Sequence, residues 1–217
     1  MTYIVAIDGP SGSGKSTISK KLANILEIEY LNTGAMYRAV TLYFLDHGLN
    51  EVSTKEEILK ALAEIKLDFV DNQIILNGEN VESLIRTDEV TKNVSWVSAN
   101  EDVRASLVKS QREIAKAKSF ILDGRDIGTV VFPDAKYKFY LTADSRQRAI
   151  RRFKQNESAL TIDELEKAII DRDLYDSTRV VSPLKKADDA IEIDTSNISI
   201  DQTIRQILSH IGEYDAL

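Results

Sequence analysis

The sequence predicts an α/β fold in three layers, a parallel sheet with helices on both faces, and three observations lead there. Short, continuously apolar runs alternate with amphipathic helical stretches along the chain. The first run, Tyr3-Ile4-Val5-Ala6-Ile7, passes through a glycine-rich turn directly into a helix, the unit from which parallel sheets are built. With 217 residues and 43% apolar content, the chain has material for one substantial core, and two independent domains would be cramped.

The turn after the first strand is Asp8-Gly9-Pro10-Ser11-Gly12-Ser13-Gly14-Lys15-Ser16-Thr17, a full G-x-x-x-x-G-K-[ST] phosphate loop, which makes the expected sheet one of P-loop type. Glycine-rich turns arise for many reasons, but the strand before and the helix after argue against a chance match. Backbone N–H groups freed by Gly9, Gly12 and Gly14 can point at phosphate oxygens, helped by the positive end of the helix. Lys15 is expected to reach the β- and γ-phosphates of a nucleoside triphosphate, and Ser16 to ligate Mg²⁺. Asp8 has two readings, a structural cap on the loop or a group near the metal.

The helix from Lys15 carries Ile18, Leu22, Ile25 and Leu26 on one face. Glu29-Tyr30-Leu31 is a short second strand. Asn32-Thr33-Gly34 then opens a helix from about Ala35 to Asp46, which His47-Gly48 stops. A polar helix spans Thr54 to Ile65 behind a capping box, Ser53 or Thr54 followed by Glu56 and Glu57. Leu67–Val70 and Ile74–Leu76 are short strands around Asp71-Asn72-Gln73, and Asn77-Gly78 is the strongest hairpin turn in the chain, so this region is a small β-rich insertion. Helical patterning runs on from Asp88 through Lys118, with Val103, Leu107 and Ile114 facing inward. Ser119-Phe120-Ile121-Leu122-Asp123 and Tyr137-Lys138-Phe139-Tyr140-Leu141 are buried strands. Asp123 ends the first of these, where phosphate-loop enzymes keep a carboxylate for the Mg²⁺ shell; an ordinary turn aspartate before Gly124 is the other reading. An arginine-rich helical stretch runs from Asp144 to about Tyr175. Ala190–Ile193 is the last strand, and Ile200, Ile204, Ile207, Leu208 and Ile211 form the apolar face of a closing helix.

In such a sheet, ligands bind beyond the carboxyl ends of the strands. The phosphate loop, Asn32-Thr33-Gly34 and Asp123-Gly124-Arg125-Asp126 all follow strands, so one crevice can collect them. Composition narrows the class further. A net charge of −7 argues against a nucleic-acid partner. No apolar run approaches the ~18 residues of a membrane span. The absence of cysteine excludes disulfides and thiolate zinc sites, and no secretory signal opens the chain, so the expectation is a cytoplasmic protein, and a monomer. Arg146, Arg148, Arg151 and Arg152 cluster, with Arg172 and Arg179 following; they are either a solvated face laced with ion pairs or a cover over bound phosphates. Trp96, His47 and His210 are read as packing or surface residues.

A GTPase would show N-K-x-D or T-K-x-D for guanine and D-x-x-G for the γ-phosphate, and none of these occurs. A motor or transporter ATPase needs a signature block that this chain lacks. A small-molecule phosphotransferase remains. It needs a second anion site and a cover that excludes water. Arg38 and Arg125, just beyond two strand ends, are placed to clamp an acceptor phosphate bidentately. No general base stands out, and a loose phosphoryl transition state does not require one.

Taken together, Gly9 to Thr17, Thr33-Gly34-Ala35-Met36-Tyr37-Arg38, Ile85-Arg86-Thr87, the block from Asp123 to Pro133, and Arg172-Asp173 with Asp176 and Arg179 resemble the bacterial cytidylate kinases. The resemblance spans nearly the whole chain, and Asp123-Gly124-Arg125-Asp126-Ile127-Gly128-Thr129-Val130-Val131-Phe132-Pro133 is its most specific part. The Leu67 to Glu82 hairpin region resembles the β insertion of that family. The resemblance implies transfer of the γ-phosphate of ATP to CMP or dCMP, with Mg²⁺ held by Ser16 and Asp123. It implies that Arg38, Arg125 and Arg179 hold the acceptor phosphate, that Ser95, Arg104 and Asp126 read the cytosine edge, and that Arg172 and Asp176 contact the sugar, with Thr33 nearby. Lys15, Arg125, Arg151 and Arg152 are the expected catalytic groups. It also implies one kinase domain over 1–217, with a core at about 1–37, 88–145 and 184–217, a nucleoside-monophosphate-binding and β-insertion subdomain at about 38–87, and a helical lid at about 146–183 whose cover segment is Arg146 to Ala159. Asn32 departs from the aspartate common at that position, which leaves its role open. Alternatives are a kinase for another metabolite such as shikimate or gluconate, a kinase for UMP or AMP, and a nucleotide-binding regulator without transfer activity.

Overall fold

The computed structural model describes residues 2–155 and 160–212. In chain order the elements are β1 (Ile4–Asp8), α1 (Lys15–Leu26), β2 (Glu29–Asn32), α2 (Thr33–Asp46), α3 (Lys55–Glu64), β3 (Leu67–Val70), β4 (Gln73–Leu76) and β5 (Glu79–Asn80). There follow α4 (Asp88–Ala99), α5 (Glu101–Ile114), β6 (Phe120–Gly124), β7 (Tyr137–Thr142), α6 (Ser145–Lys154), α7 (Ile162–Thr178), β8 (Ile191–Asp194) and α8 (Ile200–Ile211). A 3₁₀ turn spans Leu84–Arg86 and a π-helical turn spans Ile127–Val131.

The main sheet is parallel throughout, in the order β2-β6-β1-β7-β8, and the fold is α/β with helices on both faces. Alternate residues of each strand feed opposite cores, as the pleat requires. Val5 and Ile7 of β1, Ile121 of β6, and Phe139 and Leu141 of β7 pack with Ile18 and Leu22 of α1 and with Ile204, Ile207 and Leu208 of α8. Ala6, Leu31 and Leu122 turn the other way, toward Met36, Val40 and Phe44 of α2, Val94 and Val97 of α4, and Val103 and Leu107 of α5. Both faces being covered explains why the strands are apolar runs and do not alternate.

The register sets the site. Asp123 stands opposite Ile7 of β1 on one side and Asn32 of β2 on the other. The loops after β1, β2 and β6 therefore leave the sheet side by side. Asn32 caps α2, its side chain accepting from Ala35 N–H at 3.0 Å, so the departure at that position is a helix cap. The second sheet, β3-β4-β5, is antiparallel; its turns place Asp71 (φ 52°), Asn72 (φ 60°), Asn77 (φ 51°) and Gly78 (φ 90°) in the left-handed region that two-residue hairpins need. Ile74 and Leu76 drop from it into the α2 core.

Two helical stretches differ from expectation. Asp88 to Lys118 is not one helix: it breaks at Asn100 (φ −68°, ψ 126°), and α5 ends at Ile114. The Asn100 side chain accepts from Asp102 N–H at 3.0 Å and Val103 N–H at 3.1 Å, and Glu101 and Asp102 fill the first turn of α5. An asparagine followed by two acids is a helix start, and that local signal overrides a continuous apolar period. Asn100→Ala is expected to cost about 1 kcal/mol, read as a lower denaturant midpoint at unchanged slope. The arginine-rich stretch from Asp144 is likewise two helices, α6 and α7. Thr161 starts the second with a capping box to Glu164. The part of the expected cover segment at 156–159, and the part of the expected core at 213–217, lie outside the described residues.

Candidate active site

A cleft of about 850 Å³ opens at the carboxyl edge of the main sheet, between the phosphate loop, α2, α4 and the arginines of α6 and α7. The loop is shaped by φ values that L residues avoid: 147° at Gly9, 76° at Gly12 and 94° at Gly14. A Cβ on Gly9 would stand 2.1 Å from the Leu141 carbonyl oxygen, so β7 itself demands glycine there. Lys15, buried, donates to Pro10 O at 2.6 Å and to Ser13 Oγ at 3.4 Å. Burial, with Arg125 next, lowers its pKa well below the usual lysine value. A cation held under that pressure gains from any anion the loop receives.

At the end of β6, Asp123 accepts from Ser16 Oγ at 2.6 Å and from the Tyr30 hydroxyl at 2.9 Å, while Thr33 Oγ1 donates to its carbonyl at 2.7 Å. Burial pushes the Asp123 carboxyl up, against the Ser16 hydrogen bond and Lys15. Tyr30 escaped sequence reasoning, because a tyrosine in a short strand carries no signal of its own. Ser16 and Asp123 form an all-oxygen pair at the mouth of a phosphate loop, a donor set that fits Mg²⁺ completed by phosphate oxygens and water. Among the described residues no cluster of three His, Cys, Asp or Glu offers a dedicated metal cage.

Asp8 is not a cleft residue. It is buried, accepts from Ile127 N–H at 2.8 Å and Gly128 N–H at 2.7 Å, and its pKa is raised to about 7 by burial. Neither of its two readings holds as stated: it is a structural cap, but on the Ile127–Val131 turn and not on the phosphate loop.

The opposite wall is cationic. Arg38 donates to Ile85 O and Thr91 Oγ1, both at 2.9 Å; burial lowers its pKa, and Arg172, Arg152, Arg86 and Arg125 stand close enough to lower it further. Arg125 Nε donates to Asp176 at 2.9 Å, and Arg172 Nε lies 3.8 Å from the same carboxylate. Burial pushes the Asp176 carboxyl up, yet Arg125, Arg172 and Arg179 together outweigh it and hold it below the ordinary value. Arg172 is lowered to about 10, first by burial and then by Arg125. Among the described residues, Arg172 Nε and Arg179 Nη2 complete no hydrogen bond although both are buried.

Deeper in the cleft, Arg104 of α5 pairs with Asp126, both almost fully buried, and donates to Ser98 O at 3.2 Å. Its guanidinium lies 5.5 Å above the Tyr37 ring. Arg179 Nη1 donates to Ser98 O at 3.3 Å, and Nη2 stands 3.9 Å from Asp126. Burial pushes the Asp126 carboxyl up while Arg104, Arg179 and Arg125 pull it down. Ser95 does not line the cleft; Ser98, one turn further along α4, does.

Of the α6 arginines, Arg146 pairs with Asp163 and Glu166 of α7, an exposed helix-to-helix contact. Arg148 is buried and donates to Ser11 O at 3.0 Å while pairing with Asp173, whose Oδ1 accepts from Ser11 N–H at 3.4 Å. Together they grip both backbone polar groups of Ser11 in the phosphate loop, a role no sequence pattern announced. Arg151 donates to Thr195, which in turn donates to Ser13 O at 3.1 Å. Arg151 and Arg152 line the cleft, as do Thr33, Arg38, Arg125 and Arg172.

A family model described as cytidylate kinase matches residues 5–213. The chain is similar to a cytidylate kinase of Fusobacterium nucleatum subsp. nucleatum, 49% identical over 211 residues and 96% of each chain. It is 46% identical to one of Clostridioides difficile, covering 96% of this chain and 98% of that one, and 42% identical to one of Thermotoga neapolitana over 98% of each. In backbone it is similar to a shikimate kinase of Acinetobacter baumannii (TM-score 0.51, 15% identity, 97% of this chain and 93% of that one), which shows the shared fold alone.

Proposed function

The chain belongs to the cytidylate kinase family, phosphorylating CMP and dCMP to their diphosphates, and on that premise we propose how its cleft performs the transfer. One observation carries the reading: five arginines, 38, 86, 125, 152 and 172, face one another across a cleft whose floor is a phosphate loop, with Asp176 paired to two of them. The carboxylates present, Glu82 on Arg86 and Asp176 on Arg125 and Arg172, offset only part of this charge, and the remainder favours polyanionic ligands. Two phosphate-bearing substrates meeting end to end supply them.

In this reading the loop from Gly9 to Thr17 receives the triphosphate tail of ATP, with backbone N–H groups and Lys15 on the β- and γ-phosphates. Ser16 and Asp123 would hold Mg²⁺, which neutralises developing phosphate charge when bound. Arg38 and Arg125 hold the acceptor phosphate, joined by Arg179, while Arg151 and Arg152 approach from α6 and complement charge on the moving phosphoryl group. Arg172 and Asp176 meet the sugar. Thr33 braces the cleft floor through its bond to the Asp123 carbonyl.

Arg104 and Asp126 suit the cytosine edge. The carboxylate accepts from the exocyclic amine and the guanidinium donates to the ring nitrogen and carbonyl beside it. Uracil reverses two of these groups, placing a carbonyl against the Asp126 carboxylate. The reading of the base rests on this pair, since Ser95 stands outside the lining. ATP as donor, Mg²⁺, a monomeric enzyme and a cytoplasmic setting belong to the same proposal; no helix among the described residues is long and apolar enough to cross a membrane.

A coupled assay of ADP release with CMP, dCMP, UMP, AMP and GMP tests it. CMP and dCMP are expected well above UMP, with AMP and GMP far below, because a site built to hydrogen-bond a substrate group rejects analogues lacking it by ~10²-fold or more. AMP as best acceptor overturns the base assignment. Activity with shikimate or gluconate and none with any nucleotide overturns the acceptor class. ATP binding without ADP release under any acceptor leaves a regulator in place of an enzyme.

A further inference from the structure

We propose that Asp8 is a positioning residue for the acceptor side of the reaction, fixing from the end of β1 the turn that directly follows Arg125 and Asp126. This rests on the reading of the cleft given above. Asp8 belongs by sequence to the donor side, immediately before Gly9, yet both of its carboxylate oxygens are committed elsewhere. Oδ1 accepts from Ile127 N–H at 2.8 Å and Oδ2 from Gly128 N–H at 2.7 Å. These are the first two N–H groups of the π-helical turn, which have no partner within the turn itself. Both bonds are buried, so losing either would leave a backbone donor without a partner.

The surroundings are shaped to this contact. Gly128 packs closely there: a Cβ would stand 3.2 Å from Lys138 Cδ and in ordinary contact, 3.4 Å, with Asp8 Oδ2. The far end of the turn is held by Arg112, which donates through Nε to Val131 O and through Nη2 to Val130 O, both at 2.9 Å. The turn is thus pinned at both ends. Asp126 immediately precedes it, with φ −146° and ψ 25°, and that backbone sets where its carboxylate meets Arg104. Arg125 comes one residue earlier, its guanidinium on Asp176. Asp8 does not line the cleft; its carboxylate also acts on Lys15 through charge, so the KM for ATP is the control that separates that route from the turn.

Asp8→Asn tests the idea, because the amide keeps the shape but turns an NH₂ toward one of the two N–H groups. The expected result is a KM for CMP raised at least tenfold and a CMP-over-UMP preference lowered at least tenfold, with the KM for ATP within threefold of wild type. A variant that melts lower but keeps both KM values and the base preference shows a structural role alone and overturns the proposal. So does a parallel rise in both KM values. If the variant does not fold, amide hydrogen exchange of the wild-type enzyme decides: Ile127 and Gly128 N–H groups are expected among the slowest to exchange, and rates like those of the exposed Asn77-Gly78 turn overturn the tie. Should the wild-type enzyme prefer another acceptor, the base assignment fails separately, and the KM split for that acceptor against ATP still tests Asp8.

Discussion

Replacing Lys15 by alanine is expected to lower turnover with ATP and CMP by on the order of 10²–10³-fold, while the protein stays folded. The catalytic side of this follows from position. Lys15 is the one lysine of the phosphate loop, buried at its base, and charge on the transferring phosphoryl group has no cheaper source of compensation there. The folding side follows from what Lys15 touches. Its ammonium group donates to Pro10 O and Ser13 Oγ, both within the loop, and its side chain belongs to neither apolar core. Two hydrogen bonds at about 1 kcal/mol each correspond to a melting temperature lower by about 4–8 °C in a chain of this size. The carboxylates that feel Lys15 keep other partners, Asp123 with Ser16 and Tyr30, Asp8 with two backbone N–H groups. Steady-state kinetics beside a thermal melt separate the two effects. An inactive variant that is also unfolded by circular dichroism would refute the separation of loop from core.

Arg104→Met is expected to remove most of the preference for CMP over UMP and to destabilise the enzyme by about 3 kcal/mol. Removing one partner of a buried ion pair leaves the other charge without compensation, and Asp126 is only 3% exposed. The low end of the range applies because Arg179 stands 3.9 Å from the same carboxylate and can take part of the load. Methionine roughly keeps the volume, so cavity formation adds little. The measurement is the ratio of kcat/KM for CMP to that for UMP, beside a denaturation curve. An unchanged ratio in a folded variant removes Arg104 from base reading, whatever happens to stability.

Most of the fold was legible because each signal was local. The phosphate loop, the strand ends, the Thr54 capping box, the Asn77-Gly78 turn and the apolar face of α8 all lie within a few residues of the structure they produce. The break at Asn100 was legible too, in its two following acids, but the apolar period ran across it and masked it. Site residues divide along the same line. Lys15, Ser16, Asp123 and Arg125 carry motif signals, and the cleft collects them. Tyr30 carries none, and although Asp8 and Arg148 stand out in the sequence their partners do not, because each acts on a residue far away in the chain: Tyr30 on Asp123, Asp8 on Ile127 and Gly128, Arg148 and Asp173 on Ser11.

What the chain fixed by itself was the order of strands and helices, the loop that receives phosphate, and the stock of arginines available to meet it. Those depend on periodicity, backbone preference and residue type, all properties of short segments. Which arginine faces which anion was left to the tertiary structure. Arg146 and Arg148 lie two residues apart on one helix, yet the first meets α7 in solvent and the second is buried against the phosphate loop. A guanidinium takes its role from the charge and burial around its end, and both are set by parts of the chain brought together only when the sheet closes.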